Sequence, residues 1–401
     1  MLRLTRWWWR MSEWSRTRLG DVLTIKHGYA FAGDAFSDNL DFPTLVTPGN
    51  FSIGGGFKAT KPKTFLGDYP PEYLLAPGDV VVTMTDLSRA ADTLGYSAVI
   101  PDDGREYLHN QRIGKVVITD VDRADLKFVS YLLRGREYRQ HVVGGASGST
   151  VKHTSPGRIE SFIAELPQLD EQKRIASVLG TFDDLIETNV RDAEHADELW
   201  RAVLRAEVGN ESMGVALSSL AQFVNGRNFT KDASRSGLPV IRTPELRTGP
   251  SGSTVRTEVA TTADRIANVG DILFVWSGSL FVSRWYWEPG LVNQHVFKVI
   301  PEPDVPDWLV MFAIEELMDD FLGVAADKAT TMGHIKRSDL DRLVAVPPRL
   351  AWSALDAKIR PLWDGSLSAR THISDLARAR DEILPLLMSG KIRVDERFEV
   401  A

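Results

Sequence analysis

The sequence predicts a mixed α/β protein in which one globular unit and one long helix occur twice. Three observations predict it. Sequence landmarks recur at a large offset, two segments keep an apolar 4,3 spacing, and the stretches between them mix strand-like runs with turns. A chain of 401 residues is long enough for two or three domains, each with its own core.

The repeat is the strongest of the three. Thr150-Val151-Lys152-His153 leads into Ile159, Phe162 and Leu166-Pro167; Thr331-Met332-Gly333-His334, 181 residues later, leads into Leu340, Leu343 and Pro347-Pro348. Asn110-Gln111-Arg112-Ile113-Gly114-Lys115-Val116-Val117 matches Asn293-Gln294-His295-Val296-Phe297-Lys298-Val299-Ile300. Pro77-Gly78-Asp79-Val80 matches Val269-Gly270-Asp271-Ile272, and Leu19 through Gly28 matches Leu217 through Gly226. From Gly28 to His153 is 125 residues, whereas Gly226 to His334 is 108. The framework is kept while the interior differs, as expected of two related surfaces that recognise different things on one extended partner.

The helices follow from spacing. Ile175, Leu179, Phe182, Ile186, Asn189, Ala193, Ala196, Trp200 and Val203 form an unbroken 4,3 seam, the signature of a coiled coil. Asp170 and Glu171 suit the helix start, where the dipole favours anions, and Gly209-Asn210 suits its end. The 28 residues or so of this seam span about 42 Å. Leu355, Ile359, Leu362, Ala369, Ile373, Leu376, Ile383 and Leu387 give a second seam, with Ser366 and Arg380 filling its gaps. Pro361 and Gly365 predict an early break, leaving the stronger helix over 366–388. Either stripe alone fits ordinary core packing; two in corresponding places favour mutual pairing.

Within the globular units, Val80–Thr83, Lys115–Ile118, Ile272–Val275 and Lys298–Ile300 read as strands, and Asp125–Leu133 and Pro306–Phe321 as helices. The order does not give a regular βαβ sheet. Ile53-Gly54-Gly55-Gly56 and Gly144-Gly145-Ala146-Ser147-Gly148 read as flexible loops, because neither carries the GxxxxGK[ST] pattern of a phosphate cradle.

Composition excludes several classes. There is no cysteine, so no disulfide and no thiolate metal site; this fits a reducing cytoplasm. The eight histidines lack ligand spacing, and no run of about 18 apolar residues exists to span a membrane. At the N-terminus, three arginines surround Trp7-Trp8-Trp9, too short an apolar run for a signal peptide. Residues 1–14 read as a disordered extension, with Met11 as an alternative natural start.

The net charge of −7 argues at first against nucleic acid, but most of it, −6, falls within residues 165–207. Residues 1–164 carry +2, while residues 208–345 carry −4, so the second unit must gather its cations on one face to approach phosphate. Candidate DNA contacts in loops are Lys58, Lys61, Lys63, Arg89 and Lys152 in the first unit. The second offers Arg227, Lys231, Arg242, Arg247, Arg284, Lys336 and Arg337. For any one of these, a solvated surface charge is the competing reading. Trp285-Tyr286-Trp287 could stack on bases, though a strand packing one face inward accounts for it better.

Catalytic patterns are missing. Asp68-Tyr69-Pro70-Pro71-Glu72-Tyr73 places Glu72 where an amino-methyltransferase loop needs an aromatic, and nothing near Pro101-Asp102-Asp103 makes a convincing nuclease site. No nucleophile, base and orienter assemble, which points to a binder.

Leu166-Pro167-Gln168-Leu169-Asp170-Glu171-Gln172-Lys173-Arg174-Ile175-Ala176, followed by Phe182-Asp183-Asp184-Leu185-Ile186-Glu187-Thr188-Asn189, closely resembles the specificity subunits of type I restriction–modification systems. Leu384 through Val394, Leu19-Gly20-Asp21-Val22 with Gly28-Tyr29-Ala30-Phe31, and Gly148 through His153 carry the same resemblance. Ala351-Trp352-Ser353 departs from it, replacing the acidic-Glu-Gln motif in the second copy, so partner contacts are expected to be asymmetric.

The resemblance implies two target-recognition domains separated by two long antiparallel helices forming a coiled coil. The boundaries expected are 15–165 and 209–348 for the domains, 166–208 and 349–394 for the helices, and 395–401 for a tail. Each domain would read half of a bipartite site on double-stranded DNA. The helices, through Ile175, Leu179, Phe182, Ile186, Trp200, Val203, Ile373, Leu376, Ile383 and Leu387, would pack together and dock two methyltransferase (modification) subunits. The resemblance places S-adenosylmethionine on those partners, and ATP and Mg on restriction (motor-nuclease) subunits, with no cofactor or metal in this chain; it implies a prokaryotic cytoplasm. Alternatives are the same reader in a phage-defence methylation system without restriction, a self-sufficient DNA-modifying enzyme, and a protein-only coiled-coil adaptor, which would not need two divergent heads.

Overall fold

The computed structural model describes residues 14–58, 62–327 and 333–394. Lys61, the Thr331-Met332 start of the second repeat motif, the arginine–tryptophan segment with Met11, and the tail from residue 395 lie outside the described residues. The chain divides into two compact units, Met1–Phe182 with Ala379–Ala401, and Asp183–Arg378. Both division points fall inside a long helix, so each unit holds part of Leu169–Asn210 and part of Trp352–Met388.

In the first unit, an antiparallel sheet runs in the order Leu23–His27, Ile113–Ile118, Val80–Thr83, Ser97–Val99. A second sheet is built from much shorter strands: Phe36–Ser37, Thr64–Phe65, Thr44–Val46, Tyr107–His109, Leu74–Leu75. Its Thr44–Val46 and Tyr107–His109 strands are parallel. Ser15–Arg18 and Ile163–Leu166 form a separate antiparallel ribbon. The Leu126–Leu132 helix starts where the Asp125 carboxylate accepts from Phe128 N, and it buries Phe128, Val129 and Tyr131. Ile175, Ala176, Leu179 and Leu387 are buried in the same core as Leu23, Val80 and Val116. Trp14 packs against this core and its ring approaches Gly390. The fold therefore reaches one residue into the segment read as an extension, because that indole finds apolar surface to cover.

The second unit repeats this plan internally. Its antiparallel sheet runs Ala221–Asn225, Val296–Pro301, Ile272–Val275, Phe281–Arg284. Its short-stranded sheet runs Arg256–Thr257, Leu238–Ile241, Gly290–Val292, Ile266–Ala267, again with the central pair parallel. Met213–Ala216 pairs with Leu343–Val346 as the ribbon. The matched Gly-Asp turns also recur. Asp79 accepts from Ala76 N and pairs with Lys115 at 2.5 Å; Asp271 accepts from Asn268 N and pairs with Lys298 at 2.8 Å. The segment read as one helix over Pro306–Phe321 is two, Asp307–Glu316 and Met318–Asp327, and the first buries every residue from Trp308 to Ile314. A helix apolar on all sides belongs in a core.

The seam is where the spacing places it. Ile175, Leu179, Ala193 and Trp200 are buried, and Phe182, Ile186, Asn189, Ala196 and Val203 half-buried. The Leu169–Asn210 helix has 42 residues, about 63 Å at the usual rise. Within the second unit its partner runs antiparallel: the Asp197 carboxylate accepts from Ser366 Oγ and Arg370 Nη2, and further along, Trp200 meets Trp363 edge-on at 5.4 Å. The expected break at Pro361 does not occur, since Trp352–Met388 is one helix. Pro361 and Gly365 face solvent, while Leu355, Ile359, Trp363 and Ser366 on the other face are buried. Burial of that face outweighs the lost backbone hydrogen bond, of order 3 kcal/mol.

The glycine-rich segment at 53–56 is fixed rather than loose. Gly54, Gly55 and Gly56 have φ of 93°, 93° and 95°, a region closed to most side chains, and a Cβ on Gly55 would lie 2.6 Å from Arg134 Cγ. Gly56 N donates to Ser97 O, pinning the loop to the sheet.

Candidate nucleic-acid interface

Each unit carries a tight turn at one end of its long-stranded sheet, and the two are built alike. In the first, Ile113 N donates to Asn110 O, and Asn110 Oδ1 accepts from Arg112 N. One flank is tied by Tyr29 N to His109 O and Gln111 N to Tyr29 O; the other by Met84 N to Arg112 O. Beneath it, His109 Nε2 donates to Ile113 O at 2.9 Å, and burial pushes this imidazole down to about 4, which keeps it neutral. In the second unit, Val296 N donates to Asn293 O, Arg227 N to Val292 O, and Trp276 N to His295 O. Glycine is required beside both turns. A Cβ on Gly28 would lie 2.2 Å from Asn110 O, and one on Gly226 would lie 2.2 Å from Asn293 O.

Next to the first turn, Lys152–His153 pairs antiparallel with Thr85–Asp86. The Asp86 carboxylate accepts from Ser88 N, Thr93 N and Thr93 Oγ1. Burial alone would raise it, but these hydrogen bonds outweigh burial and hold it below the usual carboxylate range. An ionised Asp86 thus closes the loop that exposes Arg89. Lys152 lies opposite Asp86, two residues from the Met84 whose N holds Arg112 O, and Arg89 lies in the loop that Asp86 closes. Lys152 Nζ donates to Gly148 O.

The corresponding cluster in the second unit holds Arg227, Lys336 and Arg337, all exposed, around Gln294, His295, His334 and Trp276. Arg337 Nη2 donates to Phe223 O. The Trp276 ring stacks on Phe297 at 5.5 Å and lies 6.0 Å from His295 and 6.5 Å from His334. Among the described residues, Asn293 Oδ1 and His295 Nδ1 are buried without a hydrogen-bond partner.

Other candidates lie elsewhere. Lys58 is exposed; Lys63 is exposed with its Nζ 4.4 Å from the Phe36 ring centroid. Lys231 is exposed in the short Phe229–Asp232 helix, and Arg247 is exposed over the Phe281 ring. Arg242 is held bidentately by Glu245, whose hydrogen bond raises it. Arg284 is a correction. Its side chain is 2% exposed, Nη1 donates to Trp363 O, Nη2 donates to Ser366 Oγ, and the guanidinium lies over the Trp363 ring. Buried behind the helix, it cannot reach a phosphate. The neighbouring Trp285 is also fully buried and donates to Glu288 O, so it does not stack on bases.

Sequence reasoning did not single out Arg112, Gln111 and Gln294 as candidates, although the repeated Asn-Gln motif contains them. Among the described residues, no group of three or more His, Asp or Glu could hold a metal ion, and no helix is long and apolar enough to cross a membrane.

A framework present twice, each copy gathering cationic and amide side chains around a rigid turn, defines a duplicated binding scaffold. Residues 11–194 match the family described as the type I restriction modification DNA specificity domain. By that match residues 11–194, somewhat under half of the chain, are similar to the DNA specificity domain of type I restriction–modification systems, and the chain spans well under half the length of the first curated relative it matches. The specificity subunit of the type I restriction enzyme EcoBI of Escherichia coli is 26% identical over 200 residues, covering 49% of this chain and 39% of that subunit's length. The MjaIX specificity subunit of Methanocaldococcus jannaschii is 22% identical over 337 residues, covering 75% and 73%. The S subunit of a type I restriction-modification system from M. genitalium shares the fold, with a TM-score of 0.56 at 15% identity over 96% of this chain and 98% of that one.

Proposed function

We propose that this chain is the non-catalytic DNA sequence-specificity subunit of a type I restriction–modification complex. Each unit reads one half of a bipartite site on double-stranded DNA, and the paired helices set the half-site spacing and dock two methyltransferase subunits. The observation that carries this reading is the doubling of one sheet order and one turn within a single chain. Two like frameworks with unlike side chains suit a target with two unlike halves. The local gathering of Arg89, Arg112 and Lys152, and of Arg227, Lys336 and Arg337, answers the acidic net charge, because phosphate contact depends on the facing surface. Of the other candidates, Lys58, Lys63, Lys231 and Arg247 fit backbone contacts that position the duplex without reading it. S-adenosylmethionine belongs to the methyltransferase partners, and ATP and Mg to the restriction subunits.

The test exchanges residues 214–345 for those of another family member and determines the methylated motif in cells carrying the partner subunits. One half of the motif changes and the other stays. Change in both halves, or in neither, overturns the assignment. The purified chain with S-adenosylmethionine and DNA transfers no methyl group; transfer would make it a self-sufficient enzyme.

A further inference from the structure

Resting on that reading, we propose that the two equivalent turns are the specificity elements, and that Arg112 in the first unit and His295 in the second discriminate between bases. The glutamine before each, Gln111 and Gln294, is the shared contact. Four observations lead here. The turns share a backbone frame: Tyr29 N and Arg227 N hold one flank and Met84 N and Trp276 N the other, and both turns pack against Gly28 or Gly226 with no room for a Cβ, although the Gln111 N bond to Tyr29 O and the Asn110 Oδ1 cap belong to the first alone among the described residues. A rigid platform matters because base reading needs a side chain held in place before the duplex arrives.

The side chains they present suit base edges. Gln111 and Arg112 are exposed, and neither head group makes a hydrogen bond or ion pair within the described structure. A planar guanidinium pairs bidentately with guanine O6 and N7, and a carboxamide with adenine N6 and N7. In the second unit, Gln294 Nε2 lies 3.1 Å from His295 Nε2, so these heads are oriented by each other, while His295 Nδ1 and Asn293 Oδ1 are buried and make no hydrogen bond among the described residues.

The surroundings also differ in kind. The segment against Arg112 leads into the Thr85–Asp86 strand, which pairs with Lys152, and into the loop of Arg89, with the Tyr29 segment on the other flank; against His295 stands Trp276, whose ring also meets His334. The first turn is set in a cationic rim, and the second against aromatic rings that offer base or sugar faces. Position is conserved between the units while one reading residue is exchanged, which is how a duplicated reader acquires two specificities.

The experiment selects binding sites for the full-length chain from a duplex library randomised over about 30 base pairs. Wild type is compared with Arg112→His, Arg112→Lys and His295→Arg, each checked for an unchanged melting temperature. Arg112→His changes the preferred bases at one or two positions of one half-site, and His295→Arg at one or two positions of the other. Arg112→Lys keeps the charge but loses the fork, so discrimination at its position falls roughly ten- to hundredfold while binding to non-specific duplex is unchanged. Altered affinity with the same selected motif overturns the inference and makes these residues backbone contacts. If wild type selects no two-part motif at all, the functional reading itself fails, which is a different result.

Discussion

Asp197→Ala should unsettle the second unit more than any surface substitution. Asp197 accepts from Ser366 Oγ at 2.6 Å, Arg370 Nη2 at 2.8 Å and Trp200 Nε1 at 3.1 Å, and Arg284 stands 3.6 Å away. The Arg284 side chain is almost wholly excluded from solvent. Removing the carboxylate leaves that guanidinium without its counter-charge, and breaking a buried pair from one side costs about 3–5 kcal/mol. At about 2–4 °C per kcal/mol for a unit of this size, its melting temperature falls by roughly 6–20 °C. Calorimetry measures this directly, and the double variant Asp197→Ala, Arg284→Met makes the assay specific. If the cost is the stranded charge, the double variant regains much of the loss; if it is packing, the two costs add. A single-variant loss below about 1 kcal/mol, or simple additivity, refutes the argument. The same carboxylate has a pH signature. Burial would raise it, but hydrogen bonds from Ser366, Arg370 and Trp200 outweigh burial and lower it. Its contribution is complete above the unfolded value of about 3.9 and is lost as pH falls toward the folded one, so Asp197→Asn flattens the acid side of the stability profile.

Two further outcomes follow from the geometry. Gly226→Ala drives a methyl group into the Asn293 carbonyl, so it weakens reading of one half-site even where the unit still folds; a site selection identical to wild type in strength and sequence would show that the close approach is relieved elsewhere. Inserting seven residues into each long helix, between Asn189 and Ala196 in the first, adds about 10 Å. The methylated motif should keep both half-sites and widen its gap by about three base pairs; an unchanged gap would remove the helices from the measuring role.

Much of this architecture is legible in the sequence because it rests on local periodicity. The 4,3 spacing of Ile175 through Val203 marks the buried face residue by residue, and Val80–Thr83 and Ile272–Val275 are apolar enough to read as strands. What sequence conceals depends on distant partners. The second sheet of each unit includes strands of only two residues, such as Thr64–Phe65 and Arg256–Thr257, too short to show alternation. Arg284 reads as a surface cation because nothing near it in sequence announces that Trp363 and Ser366 will cover it. Pro361 reads as a break because the core that holds its helix is invisible locally. The exposed loop cations, such as Lys58, Arg89 and Arg227, are legible by residue type. The Gln111-Arg112 and Gln294-His295 turns read as a repeat, but the backbone contacts that hold their flanks come from segments distant in sequence.

The burial of Arg284 restricts how such proteins can be shuffled. Its partners Asp197, Trp363 and Ser366 all lie outside the 214–345 segment that would be transplanted. A graft that replaces the head but brings no arginine to that spot leaves an aspartate on the host helix in want of a cation. Recombination between relatives should therefore favour donors that supply it, or crossovers wide enough to carry the helix positions along. One ionic lock beneath the fold would then help decide which combinations of recognition modules evolution can assemble.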